Sequence, residues 1–295
     1  MTLARPPARG GARRRGPPLR RLLLERAAVC ATTLGGDHAR RLPVGFWAIL
    51  TAVPRTILNV IPPEVVVHDA EEACEYLPGR RARRPLRLPL RDLTAAEFEG
   101  RLEAGDRRAG RLLYTQECPA CTACEPMRVD VRAFAPSRSQ RRAQAKGDAC
   151  IVARMGPLEA DDRRVALYHQ HLELRGLGRG AKPIDVREYA AAFVASCVDG
   201  FEIRYFLGND MVGLAITDHG QRSLSAVYTA WDPNYQALSL GTYSILTQIA
   251  LARREGLDWV YLGLAIEDSP PMAYKTRFCP HERRIGGVWR RFDRG

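Results

Sequence analysis

The chain has 295 residues, 46% of them hydrophobic, which is enough apolar material for one large or two modest globular domains and excludes a wholly disordered or fibrous protein. Forty-five Lys and Arg against 33 Asp and Glu give a net charge of +12, yet only three of the basic residues are lysines, Lys146, Lys182 and Lys275, a sign of arginine chemistry or of a GC-rich coding bias. Residues 1–64 carry +8 of that charge from eleven arginines and three acids, so the rest of the chain is only mildly basic and compatible with nucleic-acid contact without demanding it.

The same N-terminal segment, 1–64, holds eight of the twenty prolines and no sustained period of 3.6 or 2 residues. It reads as a disordered extension, or as residues ahead of a misplaced start whose true position is Val65, Val66 or Val67. Its uncharged stretches, 42–54 and 56–63, fall short of the ~20 apolar residues that span a bilayer. Arg13 to Arg15 followed by Leu22 to Leu24 imitate a signal peptide until Glu25 and Arg26 interrupt it. The expected location is the cytoplasm, with an organellar transit peptide as the alternative. In the cytoplasm the eight cysteines stay reduced, so clustered ones point to metal or redox chemistry rather than to disulfides.

Residues 65–150 read as a smaller cysteine-rich domain with a helix at 95–102 and a strand at 127–134. Residues 151–295 read as a second domain. Helical patterns run over 158–174 and 185–197, separated by a glycine-rich break at 176–180. The period then changes, and strands are expected at 201–207, 211–217 and 224–231. Ser239 offers an N-cap, Tyr243, Leu246, Ile249 and Ala250 recur at helical spacing, and Gly256 stands where a C′ glycine belongs. A buried strand follows at 259–266. Three strands, a helix and a strand predict an α+β architecture with a mixed sheet and packed helices.

Cys118-Pro-Ala-Cys121-Thr-Ala-Cys124 places three thiols at two-residue intervals, a spacing that lets thiolates converge on zinc or an iron–sulfur cluster. Cys74 is the candidate fourth ligand, and the alternative is four small buried thiols in a tight loop. Cys30, Cys150, Cys197 and Cys279 stand alone and read as inert. Arg138, Arg141 and Arg142 beside Ser137 and Ser139 form either a phosphate-binding cluster or a solvated helix start.

The motifs Cys74-x-Tyr-Leu-Pro-Gly79, Cys118-Pro-x-Cys-x-x-Cys-x-Pro-x-Arg128, Pro-Ser-Arg-Ser-Gln-Arg-Arg142, Ser225-Ala-Val-Tyr228, Asp232-Pro, Ser239-Leu-Gly-Thr-Tyr243, Tyr261-Leu-Gly263, Met272-Ala-Tyr-Lys275 and Phe278-x-Pro-x-Glu282 occur in order. Together they resemble the aminoacyl-tRNA–protein transferases of the N-degron pathway, in the compact bacterial branch that uses leucyl-tRNA. The resemblance covers residues 66–292. It implies a GNAT-like catalytic domain and transfer of leucine from leucyl-tRNA to proteins with an N-terminal Asp or Glu. The alternatives are arginine as donor, a thioester-dependent GNAT acyltransferase, and a non-catalytic RNA-binding metal clip. This chain has Leu264 and Ala265 where the family usually has an aromatic pair, and together they offer an apolar surface suited to a leucine pocket.

An aminoacyl ester is already activated, and an α-amine of pKa ~7.7–8.0 leaves roughly a tenth of it neutral at pH 7. Such a catalyst must supply alignment and oxyanion donors, and it needs no cofactor for the chemistry. The residues expected to be catalytic are Tyr228, Asp232, Tyr243 and Lys275, with the compact charge of Lys275 suited to neutralise an acidic N-terminal side chain or a tRNA phosphate. Ser239 and Gly241, at a helix start, join Arg138, Arg141 and Arg142 in holding the tRNA.

Overall fold

The computed structural model describes residues 56–175 and 182–294. The expected extension up to residue 55, the lone Cys30 and the break at 176–180 lie outside the described residues. Strands β1 (Ile57–Leu58), β2 (Glu64–His68), β3 (Glu71–Ala73), β4 (Arg81–Arg83), β5 (Leu86–Pro89), β6 (Arg107–Ala109) and β7 (Leu112–Tyr114) come first. Five of them form an antiparallel sheet in the order β1-β2-β5-β7-β6, and β3 pairs with β4 as a separate ribbon. Residues 56–64, expected to belong to the extension, thus contribute β1 and the first residue of β2. Glu64 can be buried there because its carboxylate meets Arg101 at 2.7 Å and Arg87 at 3.2 Å, the pairing that a buried charge requires.

Helix α1 (Ala95–Ala104) starts on a capping box between Thr94 and Glu97 and stops at Gly105, whose φ of +94° only glycine adopts freely. Its Phe98 and Leu102 are buried with Leu113 and Tyr261.

The larger sheet holds β8 (Glu125–Asp130), β9 (Ile151–Gly156), β10 (Gly200–Leu207), β11 (Asp210–His219), β12 (Ser223–Trp231), β13 (Trp259–Ala265), β14 (His281–Ile285) and β15 (Val288–Phe292), in the order β15-β14-β8-β13-β12-β11-β10-β9. Every neighbouring pair is antiparallel except β12 and β13, so the sheet is mixed, as expected. β8 sits inside this sheet, so the sheet draws strands from both sides of the expected boundary at 150. The strand expected at 127–134 ends early because Asp130 Oδ1 accepts hydrogen bonds from the Arg132 and Ala133 amides at 3.1 and 3.0 Å, which turns the chain.

Alternation along β11 sends Leu214 and Ile216 to one face and Ala215 and Thr217 to the other. The first face packs under helix α2 (Asp162–Arg175) through Leu167, with Tyr189 of the following helix beside it. The second packs under α4 (Leu240–Arg254). Helix α3 (Val186–Tyr189) runs into a π turn (Ala190–Val194) rather than continuing to 197. The small sheet captures its end: Gly110 N donates to Ala192 O, Arg111 to Ser196 O and Leu93 N to Cys197 O. The clamp between the sheets is Arg108, which donates from Nε and Nη2 to the two oxygens of Asp218 at 2.7 and 2.8 Å with both side chains fully buried.

Ser239, expected to cap α4, has φ +53° and makes no side-chain cap hydrogen bond. The preceding 3-10 turn (Pro233–Leu238) reaches the helix directly, and Asp232 caps that turn instead, accepting from Asn234 N at 3.0 Å. Gly256 follows the helix at φ +70°, as the sequence indicates.

Candidate active site

The single parallel pair among the described sheets is joined over a short distance only. Ser223, Leu224 and Ser225 of β12 pair with Trp259, Val260 and Tyr261 of β13, and there the ladder ends. Both strands carry a bulge at this point: Val227 is the extra residue against β11, and Leu262 is the extra residue against β8. A bulge re-aims the strand that bears it. The facing edges beyond Ser225 and Tyr261 are therefore outside the ladder, on a mixed sheet whose core lies behind them.

Two cations reach this opening. Lys275 Nζ donates to Leu264 O at 3.3 Å. Arg107, from β6, lays its Nη1 in the space that a Cβ on Gly263 would fill, and Gly263 holds φ +80°. Ser225, Tyr261, Gly263, Leu102, Gly105, Asp106 and Pro126 complete the lining of the depression around Arg107. Sequence reasoning missed Arg107, one arginine among many. The signal that could have found it is Gly263, since an isolated glycine in a strand marks a bulge or a close approach.

The expected catalytic residues fall in several places. Tyr228 lies on β12 within an aromatic cluster, its ring 5.0 Å from Phe193, 5.5 Å from Tyr168 and 6.0 Å from His171. Tyr243 is buried on α4 and donates its hydroxyl to Asp148 at 3.0 Å, with burial pushing its pKa up to about 12. Its ring occupies the space against Gly147 of the preceding helix, Arg138–Asp148, so it works as a helix-to-helix contact. Asp232 is buried at the 3-10 turn, with Arg163 4.0 Å away. Only Lys275 of the four stands at the opening itself.

Arg138, Arg141 and Arg142 are exposed at the start of the helix Arg138–Asp148, which Ser137 and Gln140 cap as a box. Ser239 is exposed, and Gly241 lies against the Trp231 ring so closely that a Cβ would come within 3.0 Å of it. Leu264 and Ala265 are buried, Leu264 with Leu77 and Ile266 and Ala265 in the main core, so neither lines an open leucine pocket. Arg128 and Glu282, distant in two motifs, form one ion pair at 2.7 Å, and Arg128 is sandwiched between Trp259 and Trp289 at 3.9 and 4.3 Å from their ring centres.

Cys74, Cys118, Cys121 and Cys124 line one cavity as free thiols, and the loop packs on Leu264 of β13 and on Ile266 just after it. The Ala123 amide and Arg80 lower the Cys121 pKa, and Arg80 Nη1 lies 3.1 Å from its sulfur. Burial, reinforced by the neighbouring thiols, pushes Cys124 up to about 12. Among the described residues, no three His, Cys, Asp or Glu side chains are already grouped to hold a metal ion. Cys279, read as inert, stands 3.4 Å from His281 Nδ1. Burial raises the thiol and lowers the imidazole, which keeps both neutral. No helix among the described residues is long and apolar enough to cross a membrane.

The arginine-tRNA-protein transferase family matches twice, its N terminus over residues 72–142 and its C terminus over residues 163–285. A relative called aspartate/glutamate leucyltransferase from Thiobacillus denitrificans is 37% identical over 76% of this chain and 93% of its own. Relatives of the same name from Stenotrophomonas maltophilia and Chromobacterium violaceum are 38% and 35% identical, over 76% and 75% of this chain and 91% of each of theirs. Among solved structures, FemX covers 62% of this chain and 63% of its own at 10% identity and a TM-score of 0.36, and nothing further rests on that likeness. On the two family matches and these relatives, the chain belongs to the arginine-tRNA-protein transferase family, in the branch of the aspartate/glutamate leucyltransferase enzymes.

Proposed function

We propose that this cytoplasmic enzyme transfers leucine from leucyl-tRNA to the N-terminal amine of proteins beginning with Asp or Glu, marking them for N-degron degradation. The observation that carries the reading is the parting of β12 from β13, which leaves strand edges and two cations around one opening in a chain of this family. Three antiparallel strands, α4 and then a parallel strand support the GNAT-like reading of the fold.

The acceptor amine attacks the ester carbonyl of the charged tRNA. The amide bond forms, the ester bond to the terminal ribose breaks, and the amine's proton leaves with the ribose hydroxyl. Enough amine is neutral at pH 7 for alignment to matter more than a strong base. Backbone amides at the parted edges and the Lys275 ammonium are suited to the developing oxyanion. The exposed Arg138, Arg141 and Arg142 are suited to the tRNA backbone, and Arg141→Ala is expected to flatten the salt dependence of tRNA binding. Incubation with labelled leucyl-tRNA and a peptide starting with Asp tests the whole reading: leucine transfer is expected, and arginine moved at an equal or higher rate would reassign the donor.

We propose also that Cys74, Cys118, Cys121 and Cys124 hold a structural zinc ion or iron–sulfur cluster. The donor set and the shared cavity support this, although the loop must draw in to bring the thiols to ligand distance. When bound, the metal would supply folding free energy to the loop under β13 and displace the Cys124 proton. Elemental analysis of anaerobically purified protein should find about one site per chain, and fully active protein without zinc or iron would remove the proposal.

A further inference from the structure

Arg107 and Asp106 are neighbours in sequence, yet Asp106 gives its carboxylate to Arg87 at 2.5 Å. The other acid nearby, Asp218, is held at both oxygens by Arg108. Among the described residues the Arg107 guanidinium makes no hydrogen bond or close ion pair, only longer-range electrostatic contact with Asp218 and Tyr76, although its side chain is half-buried. Withdrawing a guanidinium from water without a partner is unfavourable, and such a seat is maintained where a ligand completes it. Here the seat is built: Gly263 gives up its side chain to admit the guanidinium, at a backbone conformation that favours glycine.

We propose that Arg107 is the specificity-determining residue that binds the side-chain carboxylate of the acceptor's N-terminal residue. This rests on the transfer reaction proposed above. A single planar fork suits one carboxylate, which it can hold bidentately, whereas a polyanion is served by several exposed cations. The seat lies at the end of the β12–β13 ladder, beside Ser225 and Tyr261, so a residue held there by its side chain keeps its α-amine at the same opening. Lys275, expected from sequence to neutralise the acidic side chain, donates its Nζ to Leu264 O, and this assignment moves that role to Arg107.

The test uses the full-length protein, leucyl-tRNA and two peptides that differ only in beginning with Asp or Asn. Wild-type protein should prefer Asp strongly. Arg107→Gln should lower kcat/KM for the Asp peptide by roughly 100-fold, mainly through the peptide KM, with the KM for leucyl-tRNA unchanged and the preference for Asp over Asn lost. Arg107→Lys, which keeps the charge without the fork, should restore part of that preference and guards against a folding defect in the first variant. An unchanged Asp-to-Asn ratio in both variants, or a loss confined to the leucyl-tRNA KM, overturns the assignment. A wild-type protein that leucylates neither peptide overturns the transfer reaction, and this inference with it.

Discussion

Arg107 and Arg108 are consecutive on one short strand, and the structure treats them oppositely. Strand alternation sends Arg108 into the joint between the two sheets, where Asp218 takes its guanidinium at both oxygens and neither side chain is exposed. The same alternation sends Arg107 to the mouth of the parted strands, where its guanidinium makes no hydrogen bond with a described residue and its Nη1 rests over Gly263. One arginine holds the large sheet against the small sheet. Its neighbour presents a charge at the opening which that joint keeps in place. The comparison teaches that a short basic pair in this chain is two devices, one structural and one suited to substrate.

The largest expected effect comes from breaking the structural device. Asp218→Ala leaves the Arg108 guanidinium buried without its partner, which typically costs about 3–5 kcal/mol. Urea unfolding followed by circular dichroism should show that loss, while any protein that folds should retain its preference for Asp over Asn peptides. A stability change within 0.5 kcal/mol, an order-of-magnitude bound for ordinary surface substitutions, would show that the pair is not the clamp described here.

Next comes Gly263→Ala, which sharpens the contrast from the other side. The added Cβ claims the space held by Arg107 Nη1 and sits at φ +80°, a conformation that costs an L-residue roughly 1–2 kcal/mol. The expected result is a modest fall in Tm together with a rise in peptide KM like that of Arg107→Gln. A fall in Tm with the peptide KM unmoved would separate the glycine from the seat.

How much of this was legible beforehand follows the physics of each signal. The period of 2 in β10, β11 and β12 and the 3.6 period of α4 are local, and the expected elements match to within a few residues. Gly256 was readable because a C′ glycine is a local backbone requirement. Ser239 was misleading: the residue type suits a cap, but the 3-10 turn before it sets its backbone to φ +53°. The helix expected to reach 197 gave way to a π turn because groups of the small sheet, some 85 residues earlier, take its last carbonyls. The motifs identified the family, yet they did not separate residues at the opening from residues such as Asp232, Tyr243 and Arg128 that hold the scaffold. Both kinds recur in motifs, and only packing distinguishes them.

The smallest expected effect concerns helix α1, which packs between Leu113 of the small sheet and Tyr261 of β13. Thr94→Ala removes half of the α1 capping box and should cost about 1 kcal/mol. Its partner Glu97 has its pKa lowered to about 2, first by Arg91 and then by the Thr94 amide. A depressed carboxylate stabilises the fold above its unfolded pKa, near 4.5, and that contribution disappears as pH falls through about 2. The difference in Tm between wild type and Glu97→Gln should therefore be present at pH 7 and shrink across that window. A difference that instead grows with acidification would contradict the assignment.

The central claim is that transfer occurs where β12 and β13 part. It is tested most directly with a non-hydrolysable leucyl-adenosine amide, a mimic of the charged tRNA terminus, carrying a photoreactive group and mapped after crosslinking by mass spectrometry. Attachment is expected at residues 225–228 of β12 or 263–265 of β13, suppressed by excess leucyl-tRNA. Competed attachment confined to other parts of the chain, such as the cysteine loop or the helix Asp162–Arg175, would contradict it.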